Sequence, residues 1–471
     1  MTEARIEADA QTRAPSPAMR SPAMRWRPYQ IYIVALLLLV TVCNYLDRII
    51  LGVLQEPIKR ELSLSDAQLG LLSGPAFAIF YSVAGIPIAR LAERVNRARL
   101  LAFVIAFWST MTAFCGLSVS YVQLLASRVG VGMGEGGCIP ISHSLLAENF
   151  SMRQRGVVMS IVSTAPSLAT ILAPVIGGVV AQQYGWRVAF LTVGLPGILL
   201  ALLVLLTLKE PRTQGQAAEA AKVERPKSSF LSDLKWLIAN RAFVWVFVGG
   251  AFIGLAYNAT TVFTVSFMIR SHGLTLAQAG GVLGLSGMVG LIGTFIGGFA
   301  ADRFADDRGR SYVLVPAVGA VLTCVFYVLA FTQASWAIGM PFLLASSVAY
   351  NLKNGPMYAA VQNIVPNTMR ATGAAVFMFG ATVVGAMVGP VLAGGISDMV
   401  SSQRFPEAIG RFSAMCPGGH AAKGAAAEIG AACATASAAG LQTALVTVSF
   451  GFVLAGLFLF LASRALKPRT A

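Results

Sequence analysis

Apolar runs of about 20 residues recur along nearly the whole chain, and this recurrence restricts the fold more than any other feature. A run of that length, coiled as a helix, crosses the roughly 30 Å hydrocarbon core of a bilayer. Only 12% of the residues are charged, against about 25% in a soluble domain. The runs lie at about 30–54, 66–88, 100–119, 121–147, 155–181, 187–208, 242–269, 276–301, 311–332, 336–364, 371–397 and 441–463. The sequence therefore predicts an all-α membrane protein with twelve transmembrane helices.

The segments between the runs give the predicted domains and orientation. Lys and Arg number 25 on one side of the predicted helices and 7 on the other, and positive residues accumulate on the cytoplasmic side. Both termini are therefore predicted to be cytoplasmic, in the inner membrane. The predicted units are a disordered tail (1–27), a six-helix bundle (28–208), a cytoplasmic linker (209–241), a second six-helix bundle (242–463) with an external loop (399–440), and a short cytoplasmic tail (464–471).

Several functional classes are excluded by the pattern of residues. The net charge of +15 comes from short basic clusters between apolar runs, whereas binding of single-stranded nucleic acid needs a basic groove with interleaved aromatic residues. No Ser-His-Asp set, metal-ligand cluster or phosphate-binding Gly-Lys-Ser run is visible. We therefore expect no enzyme activity, no metal and no cofactor. The expected partners are a small-molecule substrate, protons and membrane lipids, and the chain is expected to be a monomer.

A loop with an acid next to an arginine occurs twice. Glu93 and Arg94 follow the second run, and Asp302 and Arg303 follow the eighth, 209 residues further along the chain. An acid at a helix end can bond to an arginine and can face the positive end of a neighbouring helix. These four residues and Arg97 are the predicted cytoplasmic gate, unless the arginines serve only to fix the topology.

A second internal repeat supports a duplicated chain. Residues 173–178 read Ala-Pro-Val-Ile-Gly-Gly in the fifth run, and residues 389–394 read Gly-Pro-Val-Leu-Ala-Gly in the eleventh. With these motifs the chain resembles the major facilitator superfamily over nearly its whole length. The resemblance implies two six-helix bundles that rock around a central site and expose it to each side of the membrane in turn.

Three ionisable residues interrupt apolar runs: Asp47 in the first run, and Arg128 and Glu135 in the fourth. A charge in the hydrocarbon layer costs at least about 2.5 to 3.5 kcal/mol and persists where it faces a partner or a watery cavity. The three residues therefore predict a transport pathway. Asp47 and Arg128 lie at similar predicted depth and are expected to pair, and Glu135 follows Arg128 by two helical turns on the same face.

Burial favours a protonated carboxyl, whereas a nearby guanidinium favours the ionised form. This competition predicts that Asp47 or Glu135 titrates near physiological pH. The hypothesis is that protonation releases Arg128 to the substrate and deprotonation recaptures it. The alternative is a static ion pair that locks the first and fourth helices together.

Three local strings are more specific than the superfamily. They are Asn-Tyr-Leu-Asp-Arg at 44–48, Phe-Trp-Ser at 107–109 and Ser-Arg-Val-Gly-Val-Gly-Met-Gly-Glu at 127–135. They resemble the Spinster family of lysolipid transporters. The resemblance implies proton-linked movement of lysophospholipid-like or sphingosine-1-phosphate-like molecules, with the acids and the base named above as the polar centre. The predicted substrate-binding residues are Arg128, Glu135, Tyr45, Asn258, Lys353 and Asn354.

Two further points stay open at this stage. The string at 44–48 also resembles a branch of proton:organic-anion symporters, so an organic-anion symporter or a drug or metabolite exporter is the rival function. Cys416 and Cys433 share the predicted external loop, an oxidising location in which a structural disulfide can form.

Overall fold

The computed structural model describes residues 26–210, 230–366, 369–422 and 424–466. Most of the predicted 1–27 tail, much of the 209–241 linker and most of the 464–471 tail therefore lie outside the described residues. The helices are α1 Pro28–Leu62, α2 Asp66–Ser73, α3 Pro75–Ala92, α4 Arg97–Leu117, α5 Tyr121–Glu135, α6 Cys138–Asn149, α7 Met152–Val162, α8 Ala165–Tyr184, α9 Trp186–Thr207, α10 Phe230–Ala239, α11 Arg241–His272, α12 Leu276–Arg303, α13 Ser311–Thr332, α14 Trp336–Asn351, α15 Asn354–Ile364, α16 Arg370–Phe379, α17 Gly385–Arg404, α18 Phe412–Met415, α19 Ala427–Ser449 and α20 Gly451–Ala465.

These helices form the twelve predicted spans. In chain order the spans are α1, α2 with α3, α4, α5 with α6, α7 with α8, α9, α11, α12, α13, α14 with α15, α16 with α17, and α19 with α20. Within the described ranges, nine stretches are long and apolar enough to cross a membrane. Six of the twelve spans, the second, fourth, fifth, tenth, eleventh and twelfth, consist of two helices with a short irregularity between them. The eleventh span continues to Arg404 and the twelfth begins at Ala427, so helix extends into both ends of the predicted 399–440 loop.

The two halves begin their second spans in the same way. Ser65 and Gln68 form a capping box in which the Ser65 amide donates to Gln68 Oε1 at 2.9 Å. Thr275 and Gln278 form the equivalent box at the start of the eighth span, also at 2.9 Å. Each box satisfies backbone donors that lack a partner at a helix start. The internal duplication is therefore visible in local structure as well as in sequence.

The bundles meet at one end of the molecule. We call this end distal, because it is opposite the start of α1 and the end of α20, and we call the other end proximal. The larger buried apolar cluster joins both bundles and includes Ile50 and Phe263. A second cluster, which includes Ile33 and Leu146, contains only residues of the amino-terminal bundle. The second span packs on the eleventh, and the fifth packs on the eighth.

A test of this contact is available at two adjacent glycines of the eighth span. A Cβ at Gly280 would overlap the Pro174 carbonyl of the fifth span, whereas a Cβ at Gly281 would meet nothing within 4 Å. We expect Gly280→Ala to destabilise the protein by about 1 to 3 kcal/mol, the usual cost of overpacking. Gly281→Ala is the control and should be neutral or slightly stabilising. Thermal unfolding in detergent measures both, and equal melting temperatures would contradict the contact.

Candidate functional site

Two acids and two arginines lie in the middle of the amino-terminal bundle, all of them buried except Arg48, which is partly exposed. Asp47 and Arg48 belong to the first span, and Arg128 and Glu135 belong to the fourth. Asp47 and Arg128 each expose 1% of their surface, and Glu135 exposes none. The first span runs on to Leu62, beyond its predicted end near 54, so Asp47 lies near the centre of the helix rather than near its outer end. The predicted trio therefore occupies one buried region.

The partner of Glu135 is Arg48, which the sequence prediction had not assigned to the site. Arg48 Nε donates to Glu135 Oε2 at 2.6 Å, and Arg48 Nη2 donates to Asn44 Oδ1 at 3.0 Å. The guanidinium also lies over the rings of Tyr45, Phe77 and Tyr81, at 4.9, 5.1 and 4.4 Å from their centroids. Aromatic faces attract a cation, so these rings and Glu135 hold Arg48 together.

The predicted ion pair between Asp47 and Arg128 is wrong. Arg128 Nη1 donates to the backbone carbonyl of Asp47 at 3.3 Å. Asp47 Oδ1 and Arg128 Nε are buried and have no hydrogen-bond partner among the described residues. The reason is that the Asp47 carboxylate faces the third span, where Trp108 and Thr112 lie beside it. Arg128 is nevertheless close enough to act electrostatically on both Asp47 and Glu135.

Local structure of the fourth span fixes the position of Glu135. The span is interrupted directly after Glu135, at Gly136 and Gly137. Gly136 packs so closely on the second span that a Cβ there would lie 2.5 Å from the carbonyl oxygen of Tyr81. This close approach brings the second span, which carries Tyr81, next to the pair of Glu135 and Arg48.

The tenth span is also interrupted next to a charged residue, here Lys353. Lys353 Nζ lies 3.1 Å from Asn354 Oδ1 and 4.2 Å from the centroid of the Tyr350 ring. Asn354 Nδ2 donates to Asn351 Oδ1 at 2.7 Å. Among the described residues no carboxylate pairs with Lys353. The predicted residues Lys353 and Asn354 thus form one polar cluster, whereas the Asn258 amide donates to Gly254 within its own helix at 2.8 Å.

The predicted proximal gate has contacts within each bundle. Arg97 exposes only 1% of its surface and donates to Ser144, Glu148 and Glu210, all in the amino-terminal half. Asp302 accepts a hydrogen bond from the Tyr312 hydroxyl at 2.7 Å, inside the carboxy-terminal half. Glu93, Arg94 and Arg303 are exposed. The gating role of these five residues stays a prediction.

A network of charges that was not predicted from the sequence joins the two bundles at the distal end. Arg270 of the seventh span donates to Glu56 of the first span and to Asp66 of the second, each at 2.8 Å. Lys59 donates to Asp66 at 2.6 Å. Asp398 of the eleventh span accepts hydrogen bonds from the backbone amides of residues 66 and 67, at 3.0 and 2.8 Å. Hydrogen bonds in which one partner is charged are stronger than those between neutral groups. The bonds of Arg270 and Asp398 therefore hold the two bundles together at this end.

The loop between the eleventh and twelfth spans extends this network. The disulfide that the sequence permitted is present between Cys416 and Cys433. His420, four residues further along the loop, lies 3.2 Å from Glu56 of the first span and accepts a hydrogen bond from Arg60 at 3.0 Å. This loop reaches across to the other bundle, and the disulfide attaches it to the twelfth span.

Comparison with known proteins adds to this geometry. Residues 37–390 match the family model described as Major Facilitator Superfamily. A solved structure of a bacterial homologue of the human lysosomal transporter Spinster, in an inward-facing and occupied conformation, is 30% identical in sequence. It superposes with a TM-score of 0.82, over 94% of this chain and 98% of that one.

Curated relatives fall into several transporter groups. An MFS-type efflux pump of Mycolicibacterium smegmatis is 35% identical over 80% of this chain and 87% of its own length. A probable galactarate/D-glucarate transporter of Bacillus subtilis is 28% identical over 70% and 77%. The sphingosine-1-phosphate transporter of Danio rerio is 26% identical over 79% and 77%. Within the described ranges, no three His, Cys, Asp or Glu residues are grouped so that they could hold a metal ion.

Proposed function

Because the chain belongs to the Major Facilitator Superfamily, we propose that it is a proton-coupled transporter that moves a lipid-like amphiphile by alternating access. The observation on which this depends is the set of Asp47, Arg128 and Glu135, all buried, with the partly exposed Arg48 paired to Glu135. Two acids and two bases at the centre of a membrane-spanning bundle are costly to keep, and breaking such a pair leaves an uncompensated charge. Proton uptake by an acid is one way to release its arginine without that penalty.

The coupling step differs from the sequence hypothesis in the arginine that it releases. Protonation of Glu135 weakens its bond to Arg48 and makes this guanidinium available to an anionic head group. Deprotonation recaptures Arg48 at 2.6 Å. Asp47 and Arg128 are the second acid and base of the same site. Asp47 and Glu135 act on each other electrostatically, so the protonation of one acid affects the protonation of the other.

The substrate class is supported by the charges and by the relatives. Arg48, Arg128 and Lys353 provide positive groups for a phosphate or carboxylate, with Asn354 beside Lys353. A lysophospholipid or a sphingosine-1-phosphate-like molecule carries such a head group on an apolar tail, and a relative in Danio rerio is named for sphingosine-1-phosphate. Tyr45 and Asn258 stay proposed contacts of the substrate.

A proton:organic-anion symporter is the second candidate, because the same three cations suit a dicarboxylate and because the Bacillus subtilis relative is named for galactarate and D-glucarate. The two candidates differ in whether transport requires an apolar tail.

The closed distal network supports an inward-facing state. The distribution of 25 against 7 basic residues favours the inner membrane with cytoplasmic termini, so that the proximal end faces the cytoplasm. Both bundles are parts of one chain, and a monomer is sufficient for the proposed cycle.

The proposal is tested in proteoliposomes with and without a pH gradient. We expect gradient-dependent movement of lysophosphatidylglycerol or sphingosine-1-phosphate, no movement of D-glucarate, and loss of the gradient effect in Asp47→Asn and Arg128→Ala. Movement of D-glucarate alone would favour the symporter. If the native chain moves either substrate at the same rate with and without the pH gradient, proton coupling is refuted.

A further inference from the structure

The third span presents two unused hydrogen-bond donors to Asp47. The Trp108 indole nitrogen and the Thr112 hydroxyl lie beside the Asp47 carboxylate, and both residues are fully buried. Trp108 Nε1, Thr112 Oγ1 and Asp47 Oδ1 all lack a hydrogen-bond partner among the described residues. Unmade bonds in apolar surroundings are costly, so three of them at one place require an explanation.

Thr112 differs from other threonines in the spans. Thr110, two residues earlier on the same helix, donates to the Ala106 carbonyl at 2.7 Å. Thr41, Thr260, Thr264 and Thr323 also donate to the carbonyl four residues earlier. This is the usual way in which a helix satisfies a threonine hydroxyl. The Thr112 hydroxyl makes no such bond and so stays available to the carboxylate.

We propose that Thr112 and Trp108 are positioning residues that set the pH at which Asp47 exchanges its proton, an inference that rests on the proposed proton coupling. An ionised Asp47 accepts hydrogen bonds from both donors, and these bonds favour the ionised form. A protonated, neutral Asp47 is a weaker acceptor, so the same donors stabilise it less. Thr112 and Trp108 therefore adjust the equilibrium between ionised and protonated Asp47 without contacting the substrate.

Other charged and titratable groups also face Asp47. Arg128 and Glu135 act on it from the fourth span. Cys43, one turn earlier on its own helix, and Cys115 of the third span are the neighbouring thiols. A variant at Thr112 leaves Arg128 and Glu135 in place, and the two thiols are absent from parent and variant alike in the test below, so a change in pH dependence reports the lost hydroxyl.

The test follows the opening of the distal end as a function of pH, without substrate, in lipid nanodiscs. Spin labels are placed by Val119→Cys and Ser335→Cys, two exposed distal residues, one in each bundle. The four free cysteines are replaced by alanine in this background. We expect Thr112→Val to move the midpoint of the distance change to higher pH by about one unit, because Asp47 then holds its proton more tightly. Trp108→Phe should move it in the same direction.

Two controls separate this effect from a change in folding. Thr112→Ser keeps the hydroxyl and should titrate like the parent, and so should Thr110→Val, which removes a hydroxyl already bonded to the backbone. An unchanged midpoint in Thr112→Val, or an equal shift in Thr110→Val, would overturn the proposal. If Asp47→Asn titrates like the parent, the role of Asp47 in proton coupling fails instead.

Discussion

Replacing Glu135 by Gln will remove the effect of a pH gradient on transport and lower the gradient-driven rate by about 100-fold. The carboxylate pairs with Arg48 at 2.6 Å and is completely buried. Breaking a buried pair by removing one partner costs about 3 to 5 kcal/mol, and about 3 kcal/mol corresponds to two orders of magnitude in an equilibrium. Glutamine cannot exchange a proton, so the released arginine is never recaptured. Initial rates in proteoliposomes measure the loss.

The double variant Glu135→Gln with Arg48→Gln distinguishes coupling from folding. It removes both charges, so thermal stability should recover towards that of the native chain, whereas gradient-driven transport should not. Glu407→Gln is the matched control, because Glu407 is exposed in the distal loop, and it should transport normally. Gradient-driven uptake at the native rate in Glu135→Gln would mean that the Glu135 pair is only structural.

The second large effect is expected at Arg270. Arg270→Gln should open the distal end and shift the closed-to-open equilibrium by about 100-fold. The substitution removes the bonds to Glu56 and Asp66 and leaves these buried acids with less positive charge, at a cost of about 3 kcal/mol or more. The spin-label pair at 119 and 335 should report longer distances at every pH.

Arg404→Gln serves as the comparison for that experiment. Arg404 is an exposed arginine in the last turn of the eleventh span, at the same end of the molecule. Its removal should leave the distance distribution unchanged, since a charge on an exposed side chain contributes little to holding the bundles together. If Arg270→Gln also leaves the distribution unchanged, the distal network does not hold the bundles closed.

Much of the fold could be predicted because the membrane makes each span nearly independent of its neighbours. Every span has to satisfy its backbone hydrogen bonds internally, so the twelve apolar runs gave the twelve spans. The duplicated loops at Glu93 and Asp302 gave the two halves, and the capping boxes at Ser65 and Thr275 repeat with nearly the same offset. The errors lie at helix ends: polar residues extend the first span to Leu62, and small residues, mostly alanine, extend the twelfth span back to Ala427.

Pairing between charges was less predictable. Asp47, Arg128 and Glu135 were identified from their position inside apolar runs, and the structure brings them into one region. Arg48 was visible in the same run, but a position along a helix does not show which neighbour a flexible guanidinium reaches. The distal network was not predicted, because Glu56, Asp66 and Arg270 lie at span ends, where charges are common.

The sequence by itself determined the number of spans, their duplication and the presence of charges in the apolar layer, because these depend on composition and on distance along the chain. Only the tertiary structure decided that Glu135 meets Arg48, that Asp47 faces Trp108 and Thr112, and that the bundles are joined at the distal end. Those outcomes depend on helix rotation, on close approaches such as Gly136 on Tyr81, and on contacts between residues more than 200 positions apart, such as Asp66 and Arg270.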